Sequence, residues 1–172
     1  MKKTVIAILL AVVALLAFRS LVMTIYTIEG AALEPLFESG DRILVNRWSY
    51  GLRTGSIEGL FGYGRIGSQM PSRGDIIAFD DPSGSGEGVF LGRVTSLPGD
   101  TVTTRQGTYL VPGEVTCANQ NYYMVDMGKD GLMPVTIPET CIIGRVILIV
   151  YNHDDKYPVM SGYAPKRWCL LP

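Results

Sequence analysis

The chain has 172 residues, a formal net charge of −1 and a pI of about 5.8. This length leaves room for one membrane anchor and one domain of ordinary size. Because positive and negative charges balance and no block of like charges occurs, the composition gives no electrostatic case for binding nucleic acid.

The first predicted element is an apolar N-terminal helix. Lys2 and Lys3 precede the apolar run TVIAILLAVVALLAF at 4–18, and a second apolar patch, LVMTIY, follows Arg19 and Ser20. A helix that continues through Arg19 reaches the roughly 20 residues that a membrane span needs. The same order of basic and apolar residues is typical of a cleaved secretory signal, so the pattern alone leaves both possibilities open. The two lysines predict a cytoplasmic N-terminus, with the rest of the chain outside the membrane.

From about residue 27 the chain is predicted to be mainly β. Six runs are rich in Val, Ile, Tyr and Thr and are separated by Gly, Pro, Asp or Ser turns. These runs are 41–48, 75–80, 89–97, 101–105, 122–127 and 144–152. Many short strands with few helices favour an antiparallel architecture, either a barrel or a sandwich. The predicted organisation is an anchor and juxtamembrane segment at 1–26, followed by a β domain at 27–172.

Two glycine-rich stretches interrupt the predicted strands. Residues 51–72 contain six glycines and are predicted to be too irregular for a strand. The stretch 82–88 is rich in Gly and Ser and is predicted to be a mobile hairpin tip.

The cysteines and the single histidine, His153, give no pattern for a metal site, and no cofactor is predicted. Cys117 and Cys141 could form a disulfide in an oxidising compartment, or they could be buried apolar thiols. The sequence leaves that choice open.

Several segments resemble the bacterial type I signal peptidases, the Ser/Lys proteases that remove secretory leader peptides. The close matches are GDRILVNRWSYGLR at 40–53, RGDIIAF at 73–79 and GRVTSLPGD at 92–100. TIPETCIIGRVILIVY at 136–151 is similar to the strand that closes the family's domain. The resemblance implies the signal peptidase β fold behind a retained, single membrane span, in the cell membrane of a bacterium. It also implies precursor polypeptides as ligands.

The residues that carry the family's chemistry are replaced in this chain. The family places its nucleophilic serine in I-P-S-x-S-M-x-P, and the similar segment here is IEGAALEP at 28–35. Ala32 stands on the serine, and Gly30 stands on a serine that helps form the oxyanion hole. The general-base lysine comes just before R-V-x-G-L-P-G-D, where this chain has Gly92. Neither a glycine nor the neighbouring Arg93 can accept the proton of a serine.

Other parts of the catalytic apparatus depart from the family as well. Residues 122–133, YYMVDMGKDGLM, lack the Asn, the Ser and the Asp-Ser-Arg that the family has there. Ser39 and Ser72 are in turn sequences, and His153 in YNHDDKYP is interpreted as a surface group, so no replacement nucleophile or base is predicted. Losing either member of such a dyad lowers turnover by on the order of 10⁴–10⁶.

We therefore expect a pseudo-peptidase that binds secreted or surface polypeptides, or an active partner peptidase, without cleaving them. One alternative is an active signal peptidase that cuts at A-x-A sites with residues not recognised here. Another is a purely structural domain of the cell envelope.

The resemblance also implies a peptide groove, since the family binds an extended peptide along a sheet edge. The groove candidates are Ile28, Leu33, Pro35, Ile76, Ile77, Ala78 and Phe79. Each of them could instead be an ordinary core residue. An aromatic patch at the lipid interface, or else a small cluster under the long loop, is predicted from Trp48, Tyr50, Leu60, Phe61 and Tyr63.

Overall fold

The computed structural model describes residues 2–29, 33–54, 64–82, 88–104, 107–114, 116, 120–128, 134–153, 156–158, 161–165 and 167–171. In these ranges the chain forms one α-helix, a short 3₁₀ turn at Glu139–Cys141 and a series of short strands. The elements are α1 (Lys2–Val22), β1 (Met23–Thr27), β2 (Asp41–Asn46), β3 (Leu52–Thr54), β4 (Gly64–Ile66), β5 (Ile76–Asp80), β6 (Val89–Ser96), β7 (Thr101–Thr104), β8 (Gly107–Leu110), β9 (Tyr122–Asp126), β10 (Val135–Pro138), β11 (Ile142–Asn152) and β12 (Cys169–Leu170).

The helix α1 continues through Arg19, as the sequence predicts, and it contains no Gly or Pro that would interrupt it. At least half of every Val, Ile and Leu side chain from Val5 to Leu16 is exposed. The predicted transmembrane helix is nevertheless not confirmed, because no helix in the described residues meets the length and apolarity needed to cross a bilayer. The helix ends where β1 begins, and the carbonyl of Val22 accepts a hydrogen bond from the Arg47 amide at 2.9 Å.

The main sheet is antiparallel throughout, which confirms the prediction of a mainly β, antiparallel domain. Its strand order is β1-β2-β11-β5-β6-β9-β10, and β12 also pairs with β11. Strands β2, β5, β6, β7, β9 and β11 fall within or over the six predicted runs. The burial of β2 alternates residue by residue, as expected for a strand with one face on the core.

The prediction for residues 51–72 is wrong in one respect, because a short hairpin forms there. Strand β3 pairs with β4, and Gly51, with a φ of 91°, begins the hairpin. A Cβ at Gly51 would lie 2.9 Å from the Ile66 carbonyl oxygen, so a glycine is what permits this close approach. The tip predicted at 82–88 connects the antiparallel pair β5 and β6, and most of it lies outside the described residues.

The core is divided into two apolar clusters by the central strand β5. Ile76 and Ala78 belong to a cluster with Phe37 and the inner face of β2. Ile77 and Phe79 belong to a second cluster that includes residues of β6, β9 and β11. Because side chains alternate along a strand, β5 is covered on both faces and occupies the middle of the domain.

Candidate functional site

Gly92, which the resemblance predicts to stand at the position of the general base, lies in the middle of β6. It pairs with Ile77 of β5 and is buried. A Cβ built on Gly92 would lie 2.1 Å from Cγ1 of Val125 and 3.0 Å from the carbonyl oxygen of Asp126. The first distance is far shorter than two carbon atoms can approach, since their optimal separation is about 3.5–4.0 Å. The backbone here therefore accommodates a glycine and no larger residue without rearrangement.

The segment that follows the predicted nucleophile position, Ala32, contacts the residues directly after β9. The amide of Leu33 donates a hydrogen bond to the Met127 carbonyl at 3.2 Å. Gly128, with a φ of 67°, allows the contact, because a Cβ there would lie 2.6 Å from Cα of Leu33. Ala32 and Gly30 lie outside the described residues. The structure thus places both Leu33 and Gly92 against the short segment 125–128. We call Leu33, Gly92 and residues 125–128 together the base corner.

Leu33 itself has an unusual backbone conformation. Its φ is 55°, in the left-handed region that a leucine seldom adopts. Such a residue costs about 1–3 kcal/mol and persists where the surroundings hold it, often at functional sites. The bond to Met127 and the contact with Gly128 supply that restraint.

Half of β6 has an open edge next to the base corner. The pairing of β6 with β9 begins at Arg93, which lies opposite Asp126. In the part of the chain that the structure describes, no strand pairs with Val89–Gly92 on the side away from β5. Val89 and Phe90 are each 37% exposed. The Phe90 ring stacks on Phe79 with centroids 6.0 Å apart, which fixes an apolar surface along this edge.

The seven groove candidates divide between the two faces of the sheet. Ile28 and Leu33 are buried in the first cluster with Ile76 and Ala78, whereas Ile77 and Phe79 are buried in the second. Pro35 is exposed. Strand β5 pairs with a neighbour on each side, so its backbone is not available to a peptide. The observed burial favours the alternative of core packing for the four β5 residues.

Sequence reasoning missed the two exposed residues that lie on the open edge, Val89 and Phe90. They directly precede Leu91 and Gly92 in the predicted strand. The signal that could have found them is their position, two and three residues before the family's base position. A strand that carries a catalytic residue must present part of its edge or face to a ligand.

A buried charged cluster holds the chain just after the base corner. The Asp41 carboxylate is fully buried and accepts hydrogen bonds from the Glu38 amide at 2.8 Å, Asn152 Nδ2 at 3.0 Å and Arg167 Nε at 3.1 Å. Arg167 Nη2 also bonds to this carboxylate and to the Leu36 carbonyl. Burial raises the pKa of Asp41, but the bonds from Arg167, Glu38 and Asn152 outweigh it and leave the pKa below its ordinary value. We call this set the Asp41 cluster.

A second buried carboxylate, Asp75, supports the start of β5. It accepts hydrogen bonds from the Tyr50 hydroxyl and from the Ser72 amide, each at 2.9 Å, and Arg145 Nη2 lies 3.3 Å away. Burial raises the pKa of the Tyr50 hydroxyl, and the bond to Asp75 raises it further. Tyr50 is therefore a buried structural residue and not part of an exposed aromatic patch.

The remaining predicted residues are distributed as follows. Trp48 is exposed, whereas Leu60, Phe61 and Tyr63 lie outside the described residues. His153 is buried, so its interpretation as a surface group is wrong; its ring packs against Tyr163 with centroids 4.9 Å apart. Cys141 is a half-buried free thiol, and Cys117 lies outside the described residues.

An antiparallel β domain with an open strand edge beside a strained loop is suited to holding an extended peptide. The sequence model described as "Signal peptidase, peptidase S26" matches residues 1–131. The chain belongs to this family. The match covers α1, the base corner up to Gly128 and the open half of β6.

Individual relatives agree with this assignment. Signal peptidase I of Pseudomonas aeruginosa is 35% identical over 101 residues, which cover 58% of this chain and 34% of the relative. Probable signal peptidase I-2 of Synechocystis is 25% identical over 165 residues, which cover 93% of this chain and 65% of the relative. Signal peptidase I of Aquifex aeolicus is 32% identical over 102 residues, which cover 33% of that protein. The chain thus spans about a third of the length of the Pseudomonas aeruginosa and Aquifex relatives and 65% of the Synechocystis relative.

Proposed function

We propose that this chain is a pseudo-peptidase that holds an extended segment of a secreted or surface polypeptide without cleaving it. The observation that carries the proposal is Gly92, which offers no proton acceptor at the position where the family has its base. The backbone around Gly92 has no space for a side chain. Ala32 at the nucleophile position adds a second loss on the same reaction.

The open half of β6 supports binding as the function that remains. A peptide that adds to a strand edge gains affinity from main-chain hydrogen bonds and needs no nucleophile. The edge at Val89–Gly92 offers such backbone groups, and the exposed side chains of Val89 and Phe90 favour apolar residues in the ligand. Leu33 is bonded to Met127, directly after the strand residue Asp126 that lies opposite Arg93.

The first experiment asks whether the chain cuts a precursor that carries a leader peptide with an A-x-A site. Full-length protein in detergent is incubated with the precursor, and signal peptidase I of Pseudomonas aeruginosa serves as the active control. We expect no cleavage product from this chain under conditions in which the control is complete. Cleavage at the A-x-A site would overturn the proposal and favour the active-peptidase alternative.

A second experiment tests where the polypeptide binds. A photo-crosslinking amino acid replaces Phe90, and the matched control replaces Tyr109 on β8, which is similarly exposed at 38%. We expect a precursor segment to be captured at position 90 and not at position 109. Capture of a peptidase in place of a precursor would identify an active partner enzyme as the ligand. Equal or absent labelling would favour a purely structural envelope domain.

We further propose that α1 attaches the chain to the bacterial cell membrane, with its N-terminus in the cytoplasm and the β domain outside. The exposed apolar side chains of α1 and the two lysines in its first turn support this arrangement. Trp48 is 53% exposed and follows Arg47, which is hydrogen-bonded to the end of α1. An exposed tryptophan at this place fits the boundary between lipid and water.

Flotation with liposomes tests the attachment. The full chain is expected to float with the lipid, whereas a variant with Leu9→Asp and Val13→Asp is expected to stay in the dense fraction. Leu110→Asp, an exposed position on the hairpin β7–β8, is the control and is expected to float. A full chain that remains dense would contradict the proposal.

A further inference from the structure

Given the proposed loss of cleavage, we infer that Val125 closes the family's base position. The loss at the base position then involves two coupled positions of the core, Gly92 and Val125, in addition to the alanine at position 32. The space that a Cβ at position 92 would need is occupied by Cγ1 of Val125.

The packing around Val125 prevents it from giving way easily. Val125 is fully buried in the second core cluster and faces Val94 across the β6–β9 ladder. Its β-branched side chain has few accessible rotamers, and its neighbours in the cluster include Phe79. The Cγ1 atom would be 2.1 Å from a Cβ at position 92. A residue larger than glycine must therefore displace Val125 or the backbone.

The backbone of Asp126 limits the alternatives. Its carbonyl oxygen would lie 3.0 Å from the same Cβ, a close contact that a small shift can relieve. The contact with Val125 is the severe one, and only that contact disappears when Val125 becomes alanine. The two positions should consequently behave as a coupled pair in a double-mutant cycle.

The cycle compares Gly92→Ala, Val125→Ala and the double variant by thermal unfolding of the full chain. Gly92→Ala overpacks the core, so its Tm is expected to fall by roughly 2–12 °C. Val125→Ala leaves a cavity and also lowers Tm. When Val125→Ala is already present, adding Gly92→Ala is expected to cost at most about half of the shift that it causes alone.

Gly88→Ala is the matched control, because a Cβ at Gly88 would meet only the Phe90 ring, at 3.8 Å. Its effect is expected to be small and to be the same in the parent chain and in the Val125→Ala variant. Additive shifts for Gly92 and Val125, or a Gly92→Ala variant as stable as the parent, would overturn the inference. If Gly92→Ala fails to fold, recovery of folding by Val125→Ala supports the inference, and continued failure counts against it.

A catalytic test separates this inference from the proposed function. The variant with Ala32→Ser and Gly92→Lys is expected to remain inactive, because the lysine has no space beside Val125. Cleavage by that variant would refute the closure by Val125 and leave the inactivity of the parent chain in place. Cleavage by the parent chain would refute the proposed function, while the coupling in Tm would be unaffected.

Discussion

The base corner and the Asp41 cluster lie at the two ends of the segment 33–41. Apolar packing is the main contribution in the first, and hydrogen bonds to a buried charge are the main contribution in the second. The Asp41 cluster is a buried charge with three hydrogen-bond donors besides Arg167 Nη2. The base corner is stabilised mainly by apolar packing, by the backbone bond from Leu33 to Met127 and by a bond from the Gly128 amide to the Asp126 carboxylate at 2.9 Å. The charges of the Asp41 cluster position the chain, and none of them lies at the base position. Under the proposed function, a scaffold of this kind keeps the shape of a peptide site without its catalytic chemistry.

Of the substitutions that test this comparison, Arg167→Met is expected to change the free energy of unfolding most. The substitution keeps most of the side-chain volume but leaves the Asp41 charge buried without its cationic partner. We expect a loss of about 3–5 kcal/mol in the free energy of unfolding. Urea denaturation measures it, with Arg73→Met as the control. The pair of Arg73 with Asp100 is partly exposed, with side chains 61% and 23% accessible, so its loss is expected to cost about 0–1 kcal/mol.

If both arginine variants lose the same free energy of unfolding, the contrast between the buried Asp41 cluster and the solvated pair of Arg73 with Asp100 is wrong. If Arg167→Met is nearly neutral, Asn152 and the Glu38 amide alone are sufficient for Asp41.

Tyr50→Phe tests the second buried carboxylate and should have an intermediate effect. It removes only the hydroxyl that donates to Asp75. Hydrogen bonds to charged groups contribute about 1.5–3 kcal/mol, and we expect a loss in that range in the free energy of unfolding. Tyr109→Phe is the matched control, since its hydroxyl bonds to the Met124 sulfur, a weak acceptor, at 3.4 Å. A neutral Tyr50→Phe in urea denaturation would show that Ser72 and Arg145 satisfy Asp75 without it.

Ile77→Val tests the apolar packing next to the base corner. Ile77 is fully buried and lies opposite Gly92 in the β5–β6 ladder. The loss of one methylene is expected to lower the free energy of unfolding by about 0.5–1.5 kcal/mol. Because no charge is involved, the loss should be the same in urea titrations at low and at high salt concentration. A strong salt dependence would mean that a charged group, such as Asp126 in the base corner, contributes to the packing of Ile77.

The smallest expected effect is a difference in the pH dependence of Tm. This measurement distinguishes the contribution of the Asp41 cluster from that of the base corner. The folded-state pKa of Asp41 lies below its ordinary value, which is about 3.9 in an unfolded chain. The stability from Asp41 is therefore complete above that unfolded value and is lost as the pH falls through the folded-state pKa. In Arg167→Met this loss of Tm as the pH falls below about 4 should be smaller. Ile77→Val should keep the profile of the parent chain.

Much of the fold could be predicted from the sequence, because its longer strands are made of β-branched and aromatic residues between clear turn signals. Strands β2, β6 and β11 follow from that pattern. Strands such as β3, β4 and β12 have three residues or fewer, too short for any period to be recognised. Whether β5 is interior or at an edge depends on strand order, which a single sequence does not reveal.

The candidate site was predictable as a set of positions but not as a geometry. The resemblance located Gly92, yet the contact with Val125 depends on the register between β6 and β9. That register shifts between Val94 and Ser96, so counting residues from the motif does not give the neighbour of Gly92. The open edge at Val89 and Phe90 follows from the same register, because pairing with β9 starts only at Arg93.

The bond between Leu33 and Met127 has a consequence for the order in which the molecule assembles. It joins the first fifth of the chain to a residue well beyond its middle, and Gly128 must arrive before the Leu33 backbone is restrained. Contacts between such distant parts of a chain form late, since a long loop must close first. During synthesis the N-terminal helix and β1 therefore emerge long before the loop at Leu33 finds its partner. The loop at Leu33 therefore takes its final conformation only after Met127 and Gly128 have been synthesised and have joined the domain.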